Sequence, residues 1–243
     1  MANTPLYVKV RDQLVDSLVR KEWSPGELLP SEKQLSQRYA VAISTVRAAI
    51  GELVDANVLV RVQGKGTFVS HHAARDNRYR FFNVRSNDGH KSLLQRELVS
   101  VRREPATTEE LQTFLIAPTR RTQDVFRIRA RFQTEGDVFA MADIVVPASL
   151  FSGLENAHLP DGEESLYAIY QARFGVNIIR VEEEISAVGA SAAVARTLGL
   201  ETRDPVLEVR RVAFTFNEVA VERRTTWVHT RHHHYYLSQG KAS

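Results

Sequence analysis

Arg129 and Arg131 stand two positions apart in the strand-like run Val125–Phe132, so their side chains leave the backbone on the same side. Two guanidiniums on one face suit a phosphate or a carboxylate, although the same residues also serve surface salt bridges. Asp143, on the returning strand, joins that face only if the hairpin register allows it. A second group of residues points to a different polyanion. Arg47 lies early in a helical stretch, opposite its apolar side, where a guanidinium reaches a base edge or a phosphate. Ser44 and Thr45 open that stretch, where hydroxyls and helix-start N–H groups donate to phosphate; Thr45 also suits a purely capping role. Lys65 sits between Gly64 and Gly66 at a hairpin apex, where glycine permits a tight turn and close backbone approach.

Other chemistry is closed to the chain. It has no cysteine, which excludes a disulfide scaffold, a thiol nucleophile and a Cys-based metal site. His232-His233-His234 does not read as a metal site, because consecutive strand residues cannot all converge on one ion. No triad order, metal motif or nucleotide loop suggests catalysis, and no catalytic residue or cofactor is expected.

The elements that must hold these residues read most clearly in the first 70 positions. Tyr7, Val10, Leu14, Val15, Leu18 and Val19 recur at helical spacing, predicting a helix over about 5–21. Ser31 and Gln34 form a capping-box pattern that opens a second helix over about 31–39. A third spans about 43–56, with Val46, Ala49, Ile50 and Leu53 on one face and Asn57 as its C-cap. Two short β-type runs, 58–62 and 67–70, flank the Gly64–Gly66 turn. Three helices and a hairpin, in that order, make a winged helix-turn-helix.

From about residue 93 the pattern is α+β. Leu98–Arg103 alternates like a strand, and Thr107 caps a short helix. Strand pairs follow around Thr134–Asp137 and Phe216–Glu218, with a helix near Ser165–Phe174 and another from Ser191. Val125 and Val206, Ile128 and Val209, Arg129 and Arg210, and Val138 and Val219 share an offset of 81 residues. Two helix–hairpin halves of this kind predict one mainly antiparallel sheet with helices on one side. The expected organisation is 1–72 for the winged domain, 73–92 for a linker and 93–243 for the sheet domain.

The overall charge of +3 on 243 residues conceals an asymmetry. Residues 1–72 carry nine Lys/Arg and seven Asp/Glu, a balance of +2; residues 73–103 carry eight and three, +5; the remainder carries fifteen and nineteen, −4. A basic front is compatible with DNA, and equally with a solvated surface. No run of about 18 apolar residues marks a membrane span, and the first residues lack the basic start and apolar core of a signal peptide. No membrane partner and a cytoplasmic location are therefore expected.

Pro5-Leu6-Tyr7, Leu29-Pro30-Ser31-Glu32, Thr45-Val46-Arg47 and Gln63–Val69 together resemble the DNA-binding domain of GntR-family bacterial transcription regulators. Arg103–Ala106, Val125–Arg129, Ser165-Leu166-Tyr167, Leu198-Gly199-Leu200, Val221-Glu222 and Tyr235-Tyr236 resemble the UTRA effector domain, which points to the HutC subfamily. The resemblance implies a homodimeric repressor on palindromic double-stranded operator DNA. It also implies a chorismate-lyase-like sensor domain for a small anionic metabolite such as a phosphorylated sugar, phosphonate or organic acid. A chorismate-lyase-like enzyme fused to a DNA-binding module is the alternative, and a constitutive binder whose second half only dimerises is a third.

The resemblance assigns DNA contacts to Lys33, Ser44, Thr45, Arg47, Gly64, Lys65 and Gly66. Lys33 stands where the family usually has Arg, which keeps the charge and loses the bidentate fork. It assigns effector contacts to Arg129, Arg131, Asp143, Ser165, Tyr167 and Glu222. Two positions depart from the pattern: Ala42-Ile43 replaces the usual Ser-Arg, removing a helix cap and a DNA contact, and Ala142 replaces an acidic residue beside Asp143.

Overall fold

The computed structural model describes residues 5–56, 58–71, 81–87, 94–115, 123–155, 159, 161–162 and 164–237. Asn57, the expected cap of the third helix, and most of the expected linker lie outside them.

The N-terminal unit contains α1 (Leu6–Val19), α2 (Glu32–Tyr39), α3 (Ile43–Asp55) and the hairpin β1 (Leu59–Val62)–β2 (Gly66–Val69). Its core is the apolar stripe read in the sequence: Val10, Leu14, Leu35, Val46, Ile50, Leu53 and Leu59 are all nearly solvent-free. The capping box at α2 is formed, with Ser31 N–H donating to Gln34 Oε1 at 2.9 Å and Gln34 N–H to Ser31 Oγ at 3.3 Å. Ala42 opens α3 with no side-chain acceptor; a Ser in that position typically adds about 1 kcal/mol. The hairpin pairs Leu59 with Val69 and Val62 with Gly66.

The larger unit begins with β3 (Val84–Ser86), which pairs with β10 (His233–Tyr235). Its main sheet has six strands: β4 (Gln95–Pro105), β5 (Asp124–Thr134), β6 (Asp137–Pro147), β7 (Arg180–Gly189), β8 (Pro205–Phe214) and β9 (Ala220–Val228). They are antiparallel, in the order β4-β5-β6-β9-β8-β7. The 81-residue offset is thus a strand–helix–hairpin unit used twice, β4-α4-β5-β6 and β7-α6-β8-β9, with α4 (Thr108–Thr113) and α6 (Ala192–Leu198) in equivalent places. The halves meet where β6 pairs with β9. In the first hairpin both turn residues, Glu135 and Gly136, have positive φ, as a two-residue turn between right-twisted strands demands.

One sequence expectation is corrected. Helices cover both faces of the sheet, not one. The face bearing Phe126, Ile128, Ala130 and Phe132 packs on α5 (Leu166–Ile169), which runs into the π-helical turn Tyr170–Phe174. On the other face α6 packs on Met141 and Trp227, and α4 reaches Arg127 and Arg223. The strand β7 was not read in the sequence at all. It is an edge strand with a mostly exposed or half-exposed run, so it lacks the apolar alternation that betrays a strand.

Candidate nucleic-acid interface and buried polar site

The N-terminal unit presents its predicted contact residues to solvent. Lys33, Ser44, Arg47, Gly64, Lys65 and Gly66 are exposed and Thr45 is half-buried. Glu32, at the start of α2, ties three elements together. Arg47 from α3 donates to its Oε2 through Nε and Nη2 at 3.0 and 2.8 Å, and Arg61 from β1 lies 3.6 Å from its Oε1. Arg47 stays 63% exposed in this pair, so a phosphate or base can compete for it with water already present. Arg61 was not singled out in the sequence; a cation alternating outward on the wing strand was the available signal. At the wing, Gly64 has φ +73° and Gly66 φ +120°, and a Cβ on Gly66 would come within 2.7 Å of Leu28 Cδ1. The backbone at position 66 favours glycine, and a larger residue would also have to push the exposed Leu28 side chain aside.

The six residues expected at one effector site are divided between two faces of the sheet. Arg129, Arg131 and Asp143 share a face, as the alternation predicts, and the register sets Arg129 opposite Asp143. Arg129 grips Asp143 bidentately at 2.7 and 2.8 Å, and Arg131 grips Glu97 at 2.6 Å through both nitrogens. These pairs are one-third to nearly one-half exposed. Tyr167 and Glu222 belong to the opposite face, with α5. The expected single constellation is therefore not assembled: β5 alternates strictly, and its apolar residues Ile128 and Ala130 claim the α5 side.

On that side the structure builds a dense polar cluster. Ser165 caps α5, its Oγ accepting from Ala168 N–H at 3.1 Å. One turn later, Tyr167 and Tyr170 donate their hydroxyls to the two oxygens of Glu222, each at 2.9 Å. Arg224, two residues along β9, donates to the same two oxygens, also at 2.9 Å. Glu222 has no solvent exposure, and all four of these bonds satisfy it. Arg211 from β8 donates to Glu183 on β7 at 2.7 Å, to the Tyr167 hydroxyl at 3.4 Å and to the Phe81 carbonyl. Glu183 in turn accepts from Tyr235, which also accepts from Asn83 at 2.7 Å. Phe81 meets Tyr167 edge-on at 5.8 Å, and Phe82 lies on Phe132 at 5.4 Å.

Burial pushes the Tyr167 phenol up to about 12, with Glu222 adding to the effect. Tyr170 is raised for the same two reasons. Both remain proton donors at any physiological pH. Burial opposes the charge of Arg224, and Glu222 with the two tyrosines overrides it, leaving its affinity for the proton raised. Tyr170, Glu183, Arg211 and Arg224 escaped the sequence reading. A Glu-x-Arg pair on alternate positions of an otherwise apolar strand face was the signal for two of them.

Profile models of two families match this chain. "UTRA domain" matches residues 91–234, and "Bacterial regulatory proteins, gntR family" matches residues 6–69. This chain belongs to the GntR family, of the type that carries a UTRA domain. It is 28% identical to the mannosyl-D-glycerate transport/metabolism system repressor MngR of Escherichia coli, over 86% of this chain and 85% of MngR. It is 30% identical to the transcriptional regulator Rv0792c of Mycobacterium tuberculosis, over 88% and 78%. The ligand-binding domain of a GntR-family regulator from Bordetella bronchiseptica superposes on 67% of this chain with a TM-score of 0.58 and 27% identity, using 99% of that domain.

The GntR/UTRA chain is accordingly a DNA-binding transcriptional regulator and not an enzyme, which sets aside the chorismate-lyase-like alternative. Its winged unit binds operator DNA, and its UTRA unit is of the small-molecule-binding type. Among the described residues no helix is long and apolar enough to cross a membrane, and no cluster of His, Asp and Glu is arranged to hold a metal ion.

Proposed function

We propose that the chain is a cytoplasmic, homodimeric repressor of a palindromic operator, with an effector-sensing site on the α5 face of its sheet. In this reading residues 1–72 read DNA and 93–243 sense and dimerise, while the 73–92 link contributes Phe81, Phe82 and β3 to the sensing unit. Lys33, Ser44, Thr45, Arg47 and the Gly64–Gly66 wing carry the DNA contacts, phosphate for most and base edge for Arg47.

The observation that carries the sensing site is the Tyr167–Glu222–Arg224 network. Buried ionisable groups contribute little net stability compared with a packed apolar core, so a cluster of them points to recognition. Arg211, Arg224 and Glu222 in it are nearly solvent-free and Glu183 is largely buried; Arg96, close enough to feel Tyr170 and Arg224, adds a third buried guanidinium, with the exposed carboxylates of Asp161 and Glu164 on its outer side. Three buried guanidiniums close together favour an anionic metabolite: a phosphorylated sugar, a phosphonate or an organic acid. Ser165 and the first N–H groups of α5 border the same cluster, and Phe81 and Phe82 cover it. Arg129, Arg131 and Asp143 are assigned to the opposite surface, outside this site.

The route to DNA is short. Gln171, next to Tyr170 in the chain, donates to the Ser70 carbonyl at the foot of the wing at 3.0 Å. A ligand that rearranges Tyr170 therefore acts one residue from the N-terminal unit. The test is operator affinity in a gel-shift titration, with and without a panel of sugar phosphates, phosphonates and organic acids. A shift in affinity with one compound, lost in Tyr167→Phe, supports the reading; indifference to all of them refutes it.

A further inference from the structure

Between the two units lies a cavity of about 330 Å³, the size of a small-molecule site and separate from the Glu222 cluster. One wall is the end of α1, the turn after it and the foot of the wing; the other is the π-helical turn and the segment leading to β7. Its apolar surface comes from Leu18, Trp23, Val58, Ile178, Ile179 and Phe216. Phe216 belongs to the sheet unit by sequence, yet packs in the N-terminal core, so this wall is shared by both.

Two polar groups on the lining can donate to an occupant, Lys21 and Asn177, beside Ser24, Ser70, His71 and Gln171. Lys21 lies across Gly175: a Cβ there would come within 2.8 Å of Lys21 Cε and 3.0 Å of Nζ. Glycine at 175, with φ +71°, leaves room for the exposed Lys21 side chain to rest at the cavity edge. Lys21 is itself held at φ +58°, an uncommon conformation for a side-chain-bearing residue, which fixes where its stem starts. Among the described residues it forms no ion pair, and the lining contains no Asp or Glu. Asn177 Oδ1 accepts from Gln171 Nε2 at 2.6 Å, which leaves the Asn177 amide nitrogen as a donor to an occupant. An ammonium and an amide donor beside an aromatic and aliphatic wall, with no carboxylate among the described lining residues, match one ligand chemistry.

We propose that this cavity binds a small organic acid, a single carboxylate on an apolar or aromatic body, with Lys21 and Asn177 on the carboxylate and Trp23, Ile178 and Phe216 around the body. The occupant touches both units at once and so ties the DNA-reading unit to the sensor. This site is independent of the effector cluster and does not rest on that reading.

The experiment is isothermal titration calorimetry of the full chain with benzoate, phenylacetate and indole-3-acetate. At least one gives saturable binding, weakened tenfold or more in Lys21→Gln and abolished in Ala172→Trp, which fills the cavity mouth. Thermal melting reports whether each variant is folded, and should Ala172→Trp fail to fold, Lys21→Gln decides alone. No saturable binding by any of the three acids overturns the proposal. So does full-strength binding by Lys21→Gln, or binding that survives in folded Ala172→Trp, which would place the acid elsewhere.

Discussion

The hydroxyl of Tyr170 donates to Oε2 of Glu222 at 2.9 Å, and neither residue has any solvent exposure. This bond joins the last turn of a helix to the middle of a sheet. It also joins the sensor's buried charge to the residue that precedes Gln171, whose amide holds the wing.

Glu222→Gln tests what the carboxylate does. It leaves Arg224 buried without its anion, a change that costs about 3–5 kcal/mol. For a chain of this size the melting temperature should fall by roughly 6–20 °C. Operator binding measured well below the melting point should survive, and the response to effector should vanish. A melting temperature within a degree or two of the parent would show that the network is not the buried ion pair described above.

The pairing of Arg47 with Glu32 predicts a recognition residue that is held ready and still accessible. Arg47→Ala should weaken specific operator binding by about 1–3 kcal/mol and relax selection at one base. Lys65→Ala should weaken all sequences alike and reduce the salt slope by about one. Gel-shift titrations at several salt concentrations measure both; a salt-independent affinity would contradict phosphate contact.

The division of the sheet into two faces separates two arginines that look equivalent in the sequence. Arg129→Ala removes an exposed bidentate pair and should cost under about 1 kcal/mol, with effector response intact. Arg211→Ala removes a buried contact to Tyr167 and Glu183 and should abolish the response. The reverse outcome in a gel-shift titration with effector would move the site to the Arg129 face.

A pH dependence follows from Glu110. Burial opposes its charge, but two hydrogen bonds from Arg127, at 2.6 and 3.0 Å, and the Thr107 N–H hold the carboxyl below its usual value. A depressed folded value means that the stabilisation is present above the unfolded value near 4.5 and is lost as pH falls through the folded one. Glu110→Gln should therefore melt lower than the parent at pH 7, and the gap should close as pH falls below 4.5. Parallel melting curves from pH 7 to pH 3 would remove Glu110 from the acid response.

Local signals carried the N-terminal unit almost completely. Ser31 and Gln34 lie three residues apart and make their own cap, the apolar stripe of α3 needs only helical spacing, and Gly64 and Gly66 place the wing turn. The hairpins were legible for the same reason, although the Glu135-Gly136 turn alone would set Arg129 against Ala142; the β-bulge between Phe132 and Gln133 shifts the pairing by one residue and puts Asp143 opposite Arg129. Alternation likewise established that Arg129 and Arg131 share a face. It could not say which face, because a period of two labels both sides of a strand equally until another element covers one.

That choice belongs to the tertiary structure. Packing of α5 against Ile128 and Ala130 sends Arg129 and Arg131 outward and leaves Glu183, Arg211, Glu222 and Arg224 to form the buried site from three strands and a helix far apart in the chain. It also recruited β7, whose Glu182-Glu183-Glu184 run carries no strand signature until β8 pairs with it and turns Glu183 inward. What the sequence by itself determined was the list of elements and the charges they carry. Which charges are buried together, and which of them face the DNA-reading unit, was decided only when the two halves of the sheet closed at β6 and β9.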